Sequence, residues 1–321
     1  MDPIRRRALG AGLTLALAGG ALHAQTTPIR FVVPFPPGGA ADQVARLVAQ
    51  EVAAALGNPV VVENRAGAGG MIAAELVARA APDGRTFFVG SNGPLVFNSA
   101  LYAKMPYDPE KAFAPVAGLS RSPLLLVTRR DLGAANVADL IAAGRRDAPR
   151  LTMASAGVGN ITHLAGEYAS ALMGFKVTHV PFPGSAPAIA NLAGGHVDIM
   201  FDALPSSVQQ AREGLIRPLA ILDDQRFPPL PAVPTLRELG YANIEIGAWK
   251  VLVAPAQTPR QAVLDMNRTV NEVLRRPEVV QRLQAIGEQP MPGSPEDLGR
   301  FVAAERERWI PLVRSLGIKA D

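Results

Sequence analysis

Between Pro28 and Arg46 a run of strand-forming residues stops at a Pro/Gly turn and restarts at once as a helix. Ile29 to Val33 has the β-branched and aromatic content of a short buried strand. Pro34, Pro36 and Pro37 end it, and Gly38 and Gly39 let the backbone approach whatever lies above them. An Ala-, Val- and Leu-rich stretch from about Ala41 then predicts a helix. The first turn of such a helix carries unpaired N–H groups and the positive end of the macrodipole, so it suits a carboxylate or another oxyanion without any catalytic side chain. Plain structural punctuation explains the same residues equally well.

The pattern then recurs along the chain. Pro59 to Asn64 reads as a second strand, Arg65 to Arg79 as a glycine turn and helix, and Thr86 to Gly90 as a third strand closing on Ser91-Asn92-Gly93-Pro94. Further on, Leu124 to Thr128 is a strand, Val137 to Ala143 a short helix, and Leu151 to Tyr168 a strand, a Ser/Gly turn and a helix. Lys176 to Pro181, the turn Phe182-Pro-Gly-Ser185, the helix Ala186 to Ala193 and the strand Val197 to Phe201 ending at Asp202 follow, then a strand at Ile216 to Ile221. A proline-rich spacer, Phe227 to Pro234, precedes the strand Trp249 to Ala254. The tail predicts helices at about 260–275, 277–285 and 295–313. Repeated strand–helix alternation is α/β grammar, in which small-residue loops line the carboxyl edge of a sheet, where ligands sit.

Arg5, Arg6 and Arg7 precede an apolar run from Ala8 to Leu22, followed by Ala24-Gln25, and this order predicts an export signal spanning residues 1–24. The run is too short for a membrane span. Arg5-Arg6 with Leu9 leaves a twin-arginine route open beside the ordinary secretory one. No cysteine occurs, which excludes a lipid-anchored cysteine, disulfides and thiolate chemistry. The formal charge of +4 falls to +2 once residues 1–24, with one acid and three bases, are removed. With no basic tract and no interleaved aromatics, the remaining chain gives no nucleic-acid signature. Its length fits two domains better than one.

Several ordered motifs together carry a family resemblance. Ile29 to Asp42, Val62-Glu-Asn-Arg-Ala-Gly-Ala-Gly-Gly70, Ala81-Pro-Asp-Gly-Arg-Thr86, Ser155-Ala-Gly-Val-Gly159 with His163-Leu164, His179-Val-Pro-Phe182 with Gly184, and Gly194 to Asp202 resemble the periplasmic solute-binding proteins of tripartite tricarboxylate transport systems, the Bug family. The resemblance spans essentially the whole chain after residue 24. It implies a two-lobed, clamshell α/β fold of the type II periplasmic-binding-protein class, with mixed, mostly parallel sheets. Lobe 1 is expected from residues 25–123 with 225–321 and lobe 2 from residues 124–224, with hinge crossings near 120–127 and 248–254. The implied activity is capture of a small organic acid between the lobes, by a monomer without cofactor, for delivery to membrane permease subunits or to a sensor kinase.

The resemblance assigns the site residue by residue. Phe35, Pro36, Gly38, Gly39, Ala40, Ala41 and Asp42 match the first-lobe ligand loop, with backbone amides around Gly39 to Ala41 holding one carboxylate and Phe35 and Pro36 walling it. Asp42 fits two roles, a helix-entry residue or a partner for a ligand amine or hydroxyl. Ser91 and Asn92 close the neighbouring loop as donors. On the second lobe Ser155, Gly157, Gly159, Asn160 and Thr162 match the Ser/Gly loop, and His163 is either a structural donor or a cleft contact. Phe182 and Gly184 belong to the next loop, and Phe182, in place of the tyrosine of many relatives, favours an apolar or aromatic substituent on the acid. Asp202 either fixes loop backbone or accepts from the ligand.

Enzyme signatures are weak. His163, His179 and His196 have no metal-ligand spacing, Gly157-Val-Gly159 is not a nucleophile elbow, and Gly67, Gly69 and Gly70 lack the Gly-x-Gly-x-x-Gly order of a dinucleotide fingerprint. A Ser155, His163 and Asp202 triad has a possible order and nothing else to recommend it. An exported hydrolase and a plain interaction protein are the competing readings.

Overall fold

The computed structural model describes residues 27–146, 150–241 and 246–320. The export signal read at residues 1–24 lies outside them. The first third alternates as expected: β1 (Ile29–Val33), α1 (Ala40–Leu56), β2 (Val60–Asn64), α2 (Met71–Ala78) and β3 (Thr86–Ser91), then a wide turn at Gly93–Phe97 running into the short α3 (Asn98–Leu101). The 17-residue strand β4 (Phe113–Arg129) comes next. It leads to α4 (Val137–Gly144), β5 (Leu151–Ser155), α5 (Ile161–Leu172), β6 (Val177–Pro181), α6 (Ser185–Ala193), β7 (Ile199–Ala203), α7 (Leu204–Arg212) and β8 (Ile216–Ile221). The chain closes with β9 (Gly247–Pro255), α8 (Arg260–Leu274), α9 (Pro277–Ala285), the two-residue β10 (Gln289–Pro290) and α10 (Pro295–Ser315).

β4 joins two halves of one sheet. Its first part, to Pro123, pairs antiparallel with β9 and, at Ser120 and Arg121, with β10; its second part, from Leu124, pairs antiparallel with β7 and β8. The order across the sheet is β2-β1-β3-β9-β4-β7-β5-β6. The mixed α/β expectation is met. Parallel ladders join β1 to β2 and β3, and β5 to β6 and β7, whereas every antiparallel ladder involves β4 or β9. The antiparallel share is therefore larger than a mostly parallel sheet would give, because β9 runs against β3 and β4 in the first half and β4 runs against β7 and β8 in the second.

Period-two alternation along β4 explains its burial on both faces. Leu124 and Leu126 enter a core shared with α5, α10 and Trp309, while Leu125 and Val127 enter one built on α6 and α7. Val116, Ala117 and Leu119 face a third, where Val44, Val48 and Val52 of α1 meet Val263, Val270 and Val273 of α8. The spacing of four residues along α1 puts its three valines on one helical stripe. Each large apolar side chain so buried contributes roughly 1.5–3 kcal/mol. The proline-rich segment that follows β8 does not hang free as a spacer: Phe227, Leu230 and Val233 are buried against the α6/α7 core, and the Leu236 amide donates to the Ile221 carbonyl at 2.8 Å. Among the described residues no helix is long and apolar enough to cross a membrane.

Candidate functional site

A narrow cavity of about 50 Å³ lies where the two halves meet. The first half lines it with Phe35, Pro36, Pro37 and Gly39 to Ala41 after β1, and with Ser91, Asn92 and Gly93 at the end of β3. The second half contributes Ala156 after β5, Asn160 to Thr162 at the start of α5, Gly184 to Pro187 at the start of α6, and Ala203. Ala248, Trp249 and Lys250 of β9 complete the wall. Loops following parallel strands thus converge from both sides, as the strand–turn–helix grammar requires.

Three helix amino ends point into this space. Gly39 stands at the N-cap of α1 and Gly184 at that of α6, and neither helix has a side-chain cap among the described residues. The first-turn amides of Ala40, Ala41, Ser185 and Ala186 therefore have no intrahelical partner. α5 is different, since the Asn160 side chain accepts from the Thr162 amide at 3.0 Å, which leaves the Ile161 amide. An anion at a helix amino end gains about 0.3–1 kcal/mol from the dipole at an exposed site and up to about 2 kcal/mol when partly buried.

The halves are in contact. Gln43 Nε2 donates to the Pro205 carbonyl at 3.1 Å. A Cβ added to Gly184 would stand 3.1 Å from Pro36 Cδ, and one added to Gly159 would stand 2.3 Å from Leu101 Cδ1, so both glycines allow close approach across the cleft. Gly159 also has φ +73°, a backbone state that L side chains rarely adopt.

Of the residues singled out in the sequence, Phe35, Pro36, Gly39, Ala40, Ala41, Ser91, Asn92, Asn160, Thr162 and Gly184 line the cavity. Ser91 is 8 % exposed, and its hydroxyl finds no hydrogen-bond partner among the described residues. Asn92 holds the crossing strand, its Oδ1 accepting from the Trp249 amide at 3.2 Å. Thr162 Oγ1 accepts from the Ala156 amide at 2.8 Å and so fixes the loop after β5.

The others stand behind the wall. Asp42 accepts from the Gly38 amide at 3.0 Å, from Asn64 Nδ2 at 2.9 Å and from Arg46, which makes it the brace of the turn. Burial by itself would raise its pKa, but those hydrogen bonds together outweigh burial and hold the carboxyl below its usual range. The Gly38 amide is thereby used within the loop. Gly157 and Phe182 line an adjoining cavity that shares Phe35, Gly93, Ala156 and Asn160 with the first. Asp202 is fully buried, accepting from Ser185 Oγ at 2.7 Å and Ser206 Oγ at 2.5 Å; burial raises its pKa to about 6 against the lowering effect of both hydroxyls and of Lys250.

Ser155 bonds His179 Nε2 at 2.6 Å rather than His163, and its hydroxyl is also tied to the Gly157 backbone. His163 accepts at Nδ1 from the Gly159 amide at 3.2 Å and stacks on His179, with ring centroids 3.6 Å apart. Burial lowers His163 to about 3, helped by the charge of His179, and lowers His179 to about 4, so both rings are neutral near pH 7. The imagined Ser155, His163 and Asp202 triad is therefore not assembled: Asp202 is held by two serines, and Ser155 is fully buried outside the cavity wall. No cluster of possible metal ligands occurs among the described residues.

Sequence reasoning overlooked Lys250. It is 3 % exposed and ion-paired with the fully buried Glu288, while Nζ also reaches Ser122 Oγ at 3.0 Å. A lysine flanked by Trp249 and Val251 inside an apolar strand was the available signal, but its partner lies 38 positions away.

Comparison with known proteins agrees with this architecture. Residues 44–318 match the family described as tripartite tricarboxylate transporter family receptor. Protein BugT of Bordetella pertussis is 36% identical over 314 residues, covering 96% of each chain. Among solved structures, Rpa4515 of R. palustris with adipate superposes with a TM-score of 0.88 at 38% identity, over 91% of this chain and 98% of that one. MatC of Rhodopseudomonas palustris with bound malate gives 0.84 at 37% identity, over 89% and 98%. With a cleft between two α/β halves and these matches along nearly its whole length, the chain belongs to the tripartite tricarboxylate transporter receptors, the Bug-type solute-binding proteins.

Proposed function

We propose that this receptor captures a small organic acid in the cavity between its halves and presents it to the membrane permease subunits of a tripartite tricarboxylate-type transporter. The observation that carries the reading is the convergence of the α1, α5 and α6 amino ends on one cavity, with no side-chain cap on α1 or α6 among the described residues and the Ile161 amide left by the cap on α5. Gly39, Ala40 and Ala41 hold one carboxylate oxygen set, and Ile161, Ser185 and Ala186 face it from the other side. Ser91 donates its unused hydroxyl. Phe35 and Pro36 wall the acid, and Asp42, Ser155, His163 and Asp202 position the loops without touching it. The adipate and malate of two related structures fit the same chemical class.

The halves act as lobes. Lobe 1 comprises residues 27–123 and 247–320. Lobe 2 runs from Leu124 to Tyr241, further than the boundary at 224 expected from sequence, because Phe227, Leu230 and Val233 pack on the α6/α7 core. The chain then crosses through β4 and at the entry to β9, and ligand bridging favours the closed form. The protein is exported by its first 24 residues, works in the periplasm as a monomer and has no catalytic role, in keeping with a buried Ser155 that has no access to the cavity.

A thermal-shift screen over dicarboxylates, citrate, amino acids and aromatic acids tests the reading, since a ligand that binds only the folded state raises its stability by mass action. A rise in melting temperature with one-to-one binding and an unchanged acid supports it. Turnover of the acid supports a hydrolase or other enzyme instead, and no response to any acid refutes it.

A further inference from the structure

Among the described residues that line the cavity, Lys250 is the one with a charged side chain. In the ladders it stands opposite Ser91 of β3 and opposite Ser120 of β4, so the three occupy one cross-strand row. Ser91 Oγ and Ser120 Oγ are buried and have no partner among the described residues, and neither has Glu288 Oε2. An ammonium carries three donors, and Lys250 gives one to Glu288 and one to Ser122. Among the described residues its third donor has no acceptor, and the facing Ser91 also has an unused hydroxyl. Glu288 neutralises the lysine so that the cleft does not hold a naked charge, a requirement for burying any ammonium this deeply.

Building on the acid-receptor reading above, we propose that Lys250 is a specificity-determining residue of the cleft: its third N–H and the Ser91 hydroxyl bind an anionic group of the ligand, with Glu288 as the built-in counterion that sets how strongly anions are preferred. A charge-assisted bond of this kind rewards a carboxylate over the amide or alcohol of the same shape. The lysine therefore selects for ionised acids, and Glu288 moderates the selection.

Isothermal titration of the mature chain with adipate, malate and the neutral diamide adipamide tests this. In the paired variant Lys250→Met with Glu288→Met, which leaves no uncompensated charge, adipate and malate are expected to bind about tenfold or more weakly, a loss typical of one charge-assisted hydrogen bond, while adipamide is unaffected. Glu288→Gln, which frees the lysine from its counterion, is expected to tighten both acids severalfold and leave adipamide unchanged. A purely structural ion pair would not move the two variants in opposite directions. Dissociation constants within twofold of the wild type in both variants, or equal effects on acids and adipamide, overturn the proposal. Should the paired variant fail to fold by circular dichroism, Glu288→Gln alone decides: unchanged or weaker acid binding overturns it. Wild-type protein that binds neither acid refutes the proposal for these acids together with the reading beneath it, a result distinct from intact wild-type binding with unresponsive variants.

Discussion

Replacing Gly159 by alanine separates folding from closure. The new Cβ would lie 2.3 Å from Leu101 Cδ1, against an ordinary carbon–carbon contact of about 3.5–4.0 Å. Leu101 is 1 % exposed and packed in the large core, so it has little room to swing aside, and overpacking of this kind costs about 1–3 kcal/mol. That cost is incurred only when the two halves are in contact. A second cost, about 1–2 kcal/mol for holding alanine at φ +73°, falls on the folded protein whether the cleft is open or shut. Only the first enters the ligand affinity of a receptor that closes on binding. At about 1.4 kcal/mol per tenfold, the dissociation constant for the acid should rise about fivefold to 150-fold. Titration calorimetry on Gly159→Ala measures it, and adding Leu101→Val, which removes the offending δ-carbons, should restore part of the loss at about 1 kcal/mol of stability. Wild-type affinity in Gly159→Ala, with stability lowered by the backbone cost alone, would refute the claim that the bound form brings Gly159 against Leu101.

Further outcomes follow from the same geometry. Ser91→Ala should leave stability unchanged or slightly improved, because the lost hydroxyl is buried without a partner among the described residues, yet weaken acid binding by about tenfold; thermal melts and calorimetry check both halves. Asp42→Ala should destabilise the fold by about 2 kcal/mol in urea melts, since it removes acceptors from Gly38, Asn64 and Arg46. The two stacked histidines have folded pKa values depressed to about 3 and about 4, so the unfolded chain binds their protons first and stability is lost as pH falls below about 6.5. Asp202, raised to about 6, opposes this between roughly pH 4 and 6 by holding a proton in the folded state. The net slope from these three groups is near one proton, about 1.4 kcal/mol per pH unit, and His179→Gln should flatten the melting temperature against pH in that window.

Much of this fold was legible because its signals are local. Each strand that stops at a Pro/Gly or Ser/Gly turn and restarts as a helix was readable from adjacent residues, and β1, α1, β5 and α5 stand where the sequence placed them. The first part of β4 was not. Pro115, Gly118 and Pro123 argue against a strand, and the structure accommodates them with register shifts at Pro115/Ala117 and Gly118/Ser120. α7 was passed over because its polar LPSSVQQAR segment has little apolar periodicity, although Pro205 near its start is a helix-entry signal. Within the site, the glycines and prolines of the turns were visible, whereas the division between cavity wall and supporting shell was not. Asp42 and Ser155 have the right chemistry for a ligand and are used by their own loops, a distinction that depends on where side chains point. Lys250 and Glu288 show the general limit: a lone lysine in an apolar strand stands out locally, but neither local segment identifies its partner 38 positions away.

The most direct measurement is a crystal structure of the mature protein with an acid that raises its melting temperature in the screen. One carboxylate is expected at the amino end of α1, within hydrogen-bond reach of the Ala40 or Ala41 amide, with the α5 or α6 amino end closing on the same molecule from the other half. An acid seated elsewhere, or one held by a single half with the α1 amides still free, would contradict it.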